Sequence, residues 1–180
     1  NYMAQGKKFT AKNYNPEAWA KLFKKIGARY VVLTTKHHDG VALWDTKYSK
    51  LNVVQKTPAK GDLVTPFVDA LRKENLKVGL YYSLIDWSHP DYEVVFPRPD
   101  TRKEYPQKNQ NQLSPWQRFL KFNDNQLKEL SDNFNPDLYW FDGDWEKSSE
   151  QWQAESLKDS FLKWNPKVIV NSRLKTYGDY

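Results

Sequence analysis

Apolar residues along the chain alternate between two patterns, stretches of helical period and short unbroken runs. Trp19, Leu22, Phe23 and Ile26 recur at helical spacing after Asn15 and Pro16 and stop at Gly27, which predicts an amphipathic helix over residues 17–26. The run Tyr30-Val31-Val32-Leu33-Thr34-Thr35 is rich in β-branched residues and does not alternate, as expected of a parallel strand buried on both faces. The unit then repeats. Val64, Phe67, Val68 and Leu71 predict a second helix up to about residue 75, ahead of a strand over residues 76–83. Trp116, Phe119, Leu120, Phe122, Leu127 and Leu130 predict a helix that opens at Ser114-Pro115 and ends near Phe134, ahead of a strand within residues 136–145. Residues 152–161 supply a further helix and residues 167–171 a further strand. Residues 90–114, rich in Pro, Asn, Gln and charge without a period, read as a long surface loop, either a site lid or an insertion.

Helices alternating with short apolar strands imply parallel βαβ units with right-handed crossovers. The strands end in His37-His38-Asp39-Gly40, Tyr81-Tyr82-Ser83, Asp142-Gly143-Asp144-Trp145 and Asn171-Ser172-Arg173. In a parallel α/β architecture those ends share one face, where barrels and open sheets both place their sites. No Gly-rich phosphate fingerprint follows any of the strands, which counts against a dinucleotide-binding sheet. The expected fold class is therefore α/β, a partial (β/α)8 barrel, since a complete one is typically about 250 residues.

Composition changes this picture in one respect. With 39% hydrophobic and 28% charged residues the chain is an ordinary folding sequence, but 16% aromatics, including 8 Trp and 11 Tyr, exceeds what a core requires. Carbohydrate sites use such rings as apolar platforms with a polar edge. The net charge of +6 would suit a nucleic acid, yet the basic residues are scattered among acidic ones and form no stripe, so no nucleic-acid partner is expected. There is no apolar run of membrane-spanning length, and no membrane partner is expected. The absence of cysteine excludes disulfides and thiolate metal sites and leaves the compartment open.

Asp142 ends an apolar strand, where an aspartate is either a turn former or a reactive carboxylate. Asp144 and Glu146 are the nearest other carboxylates, and an extended backbone would point Asp142 and Asp144 the same way. His37, His38 and Asp39 could be read as a metal cluster. Adjacent residues in an extended strand face opposite ways, however, and zinc ligands usually stand further apart in sequence, so no metal is expected.

Thr34-Thr35-Lys36-His37-His38-Asp39-Gly40 with Leu43-Trp44 downstream, Gly79-Leu80-Tyr81-Tyr82-Ser83, Asp137-Leu138-Tyr139-Trp140-Phe141-Asp142-Gly143 and Asn171-Ser172-Arg173 run in this order across the chain. Together they resemble the α-L-fucosidases of glycoside hydrolase family 29. The resemblance implies a (β/α)8-like barrel that removes terminal α-linked fucose from fucosylated oligosaccharides or glycoconjugates, with retention of configuration through a covalent fucosyl-enzyme. It implies no cofactor, and a secreted, periplasmic or lysosomal-type setting. Retention requires a carboxylate nucleophile and a second carboxyl group about 5 Å away. By the resemblance Asp142 is the nucleophile, and His37, His38, Tyr81, Trp140 and Arg173 contact the substrate. Tyr82 faces the other side of its strand and packs. Arg173 has a structural alternative, a salt bridge to Asp142 or Asp39, and Asp39, Trp44 and Trp87 shape the rim.

The family's first-strand histidine, its Glu-Trp pair and its acid/base glutamate find no counterpart here, the last being expected shortly beyond Tyr180. Residues 1–180 are therefore expected to be a single catalytic-domain fragment, truncated at both ends relative to the family and inactive alone. Two other readings remain: a glycan-binding barrel without catalysis, and a metal-dependent hydrolase.

Overall fold

A computed structural model of the chain describes residues 3–92 and 113–180. Most of the loop expected over residues 90–114 lies outside the described residues. Helix α1, Pro16–Lys25, begins where Asn15 accepts the Ala18 N–H at 3.0 Å and proline occupies the first turn. After strand β1, Tyr30–Lys36, come α2, Val53–Lys56, and α3, Val64–Lys73. Strand β2, Lys77–Ser83, is followed by α4, Pro115–Phe134, which Ser114 and Gln117 open with a reciprocal capping box and Asn135 closes in a left-handed cap. Strand β3, Leu138–Asp142, then α5, Ser149–Trp152, α6, Ala154–Trp164, and β4, Ile169–Val170, complete the order.

The strands form a four-stranded parallel sheet in the order β1-β2-β3-β4. This is the βα succession of an open stretch of barrel wall. Alternation along β2 and β3 sorts the residues between two faces. Leu80, Tyr82, Tyr139 and Phe141 are fully buried against α3, α4 and α6, with Phe161 of α6 at 4.6 Å from the Tyr139 ring. Tyr81, Trp140 and Asp142 face the other way and stay partly open. Burial on both faces, expected from the unbroken apolar runs, thus holds fully only for the helix-covered face.

Between Thr34 and Lys36 the register of β1 against β2 slips: Thr34 stands opposite Tyr81, yet Lys36 stands opposite Tyr82. The extra residue, Thr35, donates its hydroxyl to the Tyr81 carbonyl at 2.7 Å, and the bulge turns Lys36 onto the helix-covered face.

Three expectations need correction. The helix predicted over residues 152–161 is two helices, because Gln153 adopts a left-handed conformation, φ +52°, and Trp152 turns inward to donate its indole N–H to the Asp144 carbonyl at 2.9 Å. The strand predicted over residues 167–171 pairs only at Ile169–Val170. Beyond it the side chain of Asn171 replaces the backbone ladder, accepting the Phe141 N–H at 2.8 Å and donating to the Phe141 carbonyl at 3.0 Å. Finally, the apolar stripe of α1 is largely open, with Trp19, Leu22 and Ile26 at 40, 54 and 70% exposure, because α1 packs mainly against α3 at the end of the array, where Lys73 of α3 also pairs with Glu17. Among the described residues no helix is long and apolar enough to cross a membrane.

The Tyr82 hydroxyl is buried between α4 side chains, 2.8 Å from Gln126 Oε1 and 3.0 Å from Asn123 Oδ1. Tyr82→Phe removes the one proton that these two acceptors share and is expected to lower the unfolding free energy by about 1–3 kcal/mol in a urea titration. A change below about 0.5 kcal/mol would mean the network adds nothing net.

Candidate active site

The carboxyl ends of β1, β2 and β3 bring His37, His38, Tyr81, Ser83 and Asp142 together. Opposite β2 residues, Asp142 pairs with Ser83 and Trp140 with Tyr81, so Tyr81 and Asp142 project from neighbouring strands on the open face. The Tyr81 hydroxyl donates to Asp142 Oδ2 at 2.9 Å. Burial, then the hydrogen bond to Asp142, push the Tyr81 phenol well above its ordinary range, so it remains a donor at any working pH. The Asp142 side chain keeps 24% of its surface exposed, an orientation fixed by Tyr81 with one edge left for a ligand.

His37 and His38 correct the sequence reading. They follow the last residue of β1 rather than lying within it, and their rings meet at 4.2 Å instead of facing opposite ways. The His37 ring also stacks on Tyr81 at 5.6 Å with the planes 5° apart. His38 Nδ1 is 2.5 Å from Ser83 Oγ, and Ser83 in turn donates its hydroxyl proton to the Ile85 carbonyl at 2.7 Å. A serine has one proton to give, so Ser83 accepts from His38, and Nδ1 carries the hydrogen. Nε2 is then the unprotonated nitrogen, 3.9 Å from Asp142 Oδ2, able to accept a hydroxyl from a ligand lying between them. Burial, and secondarily the charge of His37, lower the His38 pKa from its ordinary value and favour this neutral form.

Donor atoms of His37, His38 and Asp142 lie within 4.8 Å of one another, a set that could hold a metal ion, with Asp142 in the place the sequence assigned to Asp39. Asp39 instead accepts the Val41 N–H at 2.9 Å within its own turn.

Alternation also fails after Asp142. Gly143 has φ +84°, and a Cβ there would stand 2.6 Å from Ile85 Cγ1, so the chain leaves the extended path at a residue only glycine fits. Asp144 therefore does not point with Asp142. It lies almost buried between Arg173 at 3.8 Å and Lys175 at 3.7 Å, with Oδ1 making no hydrogen bond. Arg173 pairs with Asp144 rather than with Asp142 or Asp39, and its guanidinium sits 5.4 Å over the Trp145 ring. Glu146 accepts from the Tyr92 hydroxyl.

The tryptophans divide. Trp44 is not on the rim: it is 1% exposed and donates to Glu129 at 2.8 Å. Trp87 lies 5.1 Å from the His38 ring, and Trp140 is 40% exposed on the open face. Sequence reasoning assigned no role to Trp145, which meets His38 edge-on at 5.9 Å, or to Ser83. The signal for Ser83 was its place two residues after Tyr81 on the same strand face. A cavity of about 670 Å³ adjoins His37 and Asp39 along the free edge of β1, but Asp142, Tyr81 and Trp140 do not line it.

Comparison with known proteins gives a consistent family. The sequence profile described as alpha-L-fucosidase matches residues 1–179. Human tissue alpha-L-fucosidase is 36% identical over 96% of the chain, which spans 35% of that relative's length. Among solved structures, an alpha-L-fucosidase from Bacteroides thetaiotaomicron aligns with TM-score 0.81 at 35% identity, covering 96% of this chain and 37% of that one. An alpha-L-fucosidase from the same organism, solved as a trapped covalent intermediate with 2-fluoro-fucosyl fluoride in a Glu-to-Gln mutant, aligns with TM-score 0.80 at 35% identity over 96% of this chain and 38% of that one. Alpha-L-fucosidase isoenzyme 1 from Paenibacillus thiaminolyticus aligns with TM-score 0.82 at 38% identity, over 96% and 41% of the two chains. The chain thus spans little more than a third of these proteins, and with the profile matched from residue 1 to 179 it belongs to the α-L-fucosidase family.

Proposed function

We propose that the polypeptide carrying this chain is a retaining α-L-fucosidase in which Asp142 attacks the anomeric carbon of a terminal α-linked fucose. The observation that carries the reading is the placement of Asp142: a strand-end carboxylate oriented by Tyr81, partly open, and facing the acceptor nitrogen of His38. The covalent intermediate trapped in the Bacteroides relative supports a two-step reaction of this kind.

In the first step the C1–O bond to the leaving sugar breaks as Asp142 forms an ester to C1, while a second carboxyl group protonates the departing oxygen. In the second step that group takes a proton from water, which displaces Asp142 and restores the original configuration. Asp144 and Glu146 are not assigned this acid/base role, since Asp144 faces two cations and Glu146 is engaged by Tyr92. The role belongs to a glutamate outside these residues, and turnover to the complete polypeptide. His38 Nε2 accepts a fucose hydroxyl, His37 and Arg173 contact others, and the Trp140 ring lies against the sugar. Tyr81 both touches substrate and holds the nucleophile. The substrate class is a fucosylated oligosaccharide or glycoconjugate.

The complete polypeptide is expected to release nitrophenol from an aryl α-L-fucoside. Asp142→Ala should lower kcat by something on the order of 10⁶-fold, the scale for losing a residue that makes the covalent bond. Azide should partly restore that variant by occupying the vacated face and giving a β-fucosyl azide. Binding of fucose without turnover in the wild type would instead favour the non-catalytic glycan-binding reading, and loss of activity on chelation the metal-dependent one.

Ser83→Ala removes the acceptor that fixes His38. It should raise KM by up to about tenfold, corresponding to one hydrogen bond of 0.5–1.5 kcal/mol. Because the folded-state pKa of His38 is lowered, the neutral form persists from high pH down through the ordinary histidine value, and its contribution to binding and stability is lost only as pH falls further. Measured KM should therefore be flat above about pH 6.5 and rise below it. A rise confined to alkaline pH would contradict the assignment.

A further inference from the structure

We infer that Lys36 and Asp86 are a positioning pair that holds His38 and Trp87 in register at the sugar-facing end of the sheet; the inference rests on the fucosidase reading. Lys36 is fully buried, and its ammonium lies 3.5 Å from Asp86 Oδ2, 4.3 Å from the Tyr82 ring centre and 5.3 Å from that of Phe122. Asp86 is 2% exposed and organises the turn after β2. Its Oδ1 accepts the Ser88 N–H at 3.0 Å, the Ser88 hydroxyl at 2.7 Å and the His89 N–H at 3.0 Å, which leaves Oδ2 to face Lys36.

That turn is locked to the turn after β1 in two further ways. The Trp87 N–H donates to the His38 carbonyl at 2.8 Å, and Gly40 packs so closely that a Cβ would stand 2.3 Å from Asp86 Oδ1 and 2.2 Å from Ser88 Oγ. The backbone of His38 is therefore gripped by residues whose geometry Asp86 sets, and the ring of Trp87 is delivered beside the ring of His38.

Stability alone does not explain such a pair. Desolvation largely cancels the attraction of buried opposite charges, and apolar replacements of similar volume are often neutral or stabilising. Burial pulls the Lys36 ammonium below its ordinary pKa, and Asp86 only partly counters this. What an apolar pair could not supply is a directional tie between two turns that each present a ring to the ligand.

The test uses the complete polypeptide as wild type, Lys36→Met, Asp86→Asn and the double variant. Each is assayed on a nitrophenyl α-L-fucoside well below its own unfolding temperature, measured by circular dichroism. Each single variant leaves a buried charge uncompensated and is expected to lose about 100-fold in kcat/KM, the scale for a displacement of about 1 Å, with KM raised. The double variant, with no charge left over, should regain thermal stability yet remain about tenfold below wild type in kcat/KM, also with raised KM.

A purely structural pair would shrink the folded fraction, lowering apparent kcat and leaving KM alone. A folded double variant within about threefold of wild type in KM and kcat/KM overturns the positioning role, as does any loss confined to kcat. If the single variants do not fold, the double variant decides by the same criterion. If the wild type binds L-fucose without turnover, it is the fucosidase reading that fails. The pair is then judged on the Kd for fucose by calorimetry, an unchanged Kd in the double variant counting against it.

Discussion

One slipped residue in β1 governs the arrangement of the sheet's carboxyl end. Without the shift between Thr34 and Lys36, strict alternation would carry Lys36 to the open face, where an ammonium would stand among the groups that surround Asp142. The bulge sends it to the helix side, beneath Tyr82 and against Phe122, and Lys36 is the last residue of the strand. The two histidines then fall in a turn, which permits their rings to lie side by side as no extended pair could. The charge distribution of the site follows from a backbone irregularity, and the side chains alone would not specify it.

Around that turn each polar group has its direction set by a neighbour that cannot reverse. A main-chain carbonyl at Ile85 can only accept, so Ser83 must donate to it, and His38 must present its bare nitrogen outward. Tyr81, its phenol held protonated, can only donate to Asp142. The site thereby offers a fixed acceptor beside a fixed carboxylate, a polarity suited to a polyhydroxylated ligand whose hydroxyls can donate to one and accept from others.

Much of this was legible from residue order. The helix and strand succession, the shared face of the strand ends and the prominence of Asp142 follow from period and from the placement of polar residues after apolar runs. What was not legible depends on backbone conformation away from ideal values. Alternation put Asp144 beside Asp142 because it cannot anticipate a left-handed Gly143, and it set His37 against His38 because it cannot anticipate the bulge. Arg173, expected at the substrate with a salt bridge to Asp142 or Asp39 as its structural alternative, pairs with Asp144 because the chain turns there. Period also identifies the apolar stripe of α1 without saying what covers it, and Trp44 was drawn to the rim by its motif while its ring belongs to Glu129 and the core.

The amide of Asn171 makes the backbone next to Asp142 depend on the chemistry of one side chain. It bridges both backbone groups of Phe141, one residue before Asp142, by offering an oxygen to the N–H and a nitrogen to the carbonyl. Hydrolytic loss of that nitrogen, to which asparagine is prone at high temperature, would exchange the donor for a carboxylate oxygen facing the Phe141 carbonyl. Such a change in this single side chain, which loses ammonia and gains a negative charge, would reach Asp142 through its covalently joined neighbour Phe141.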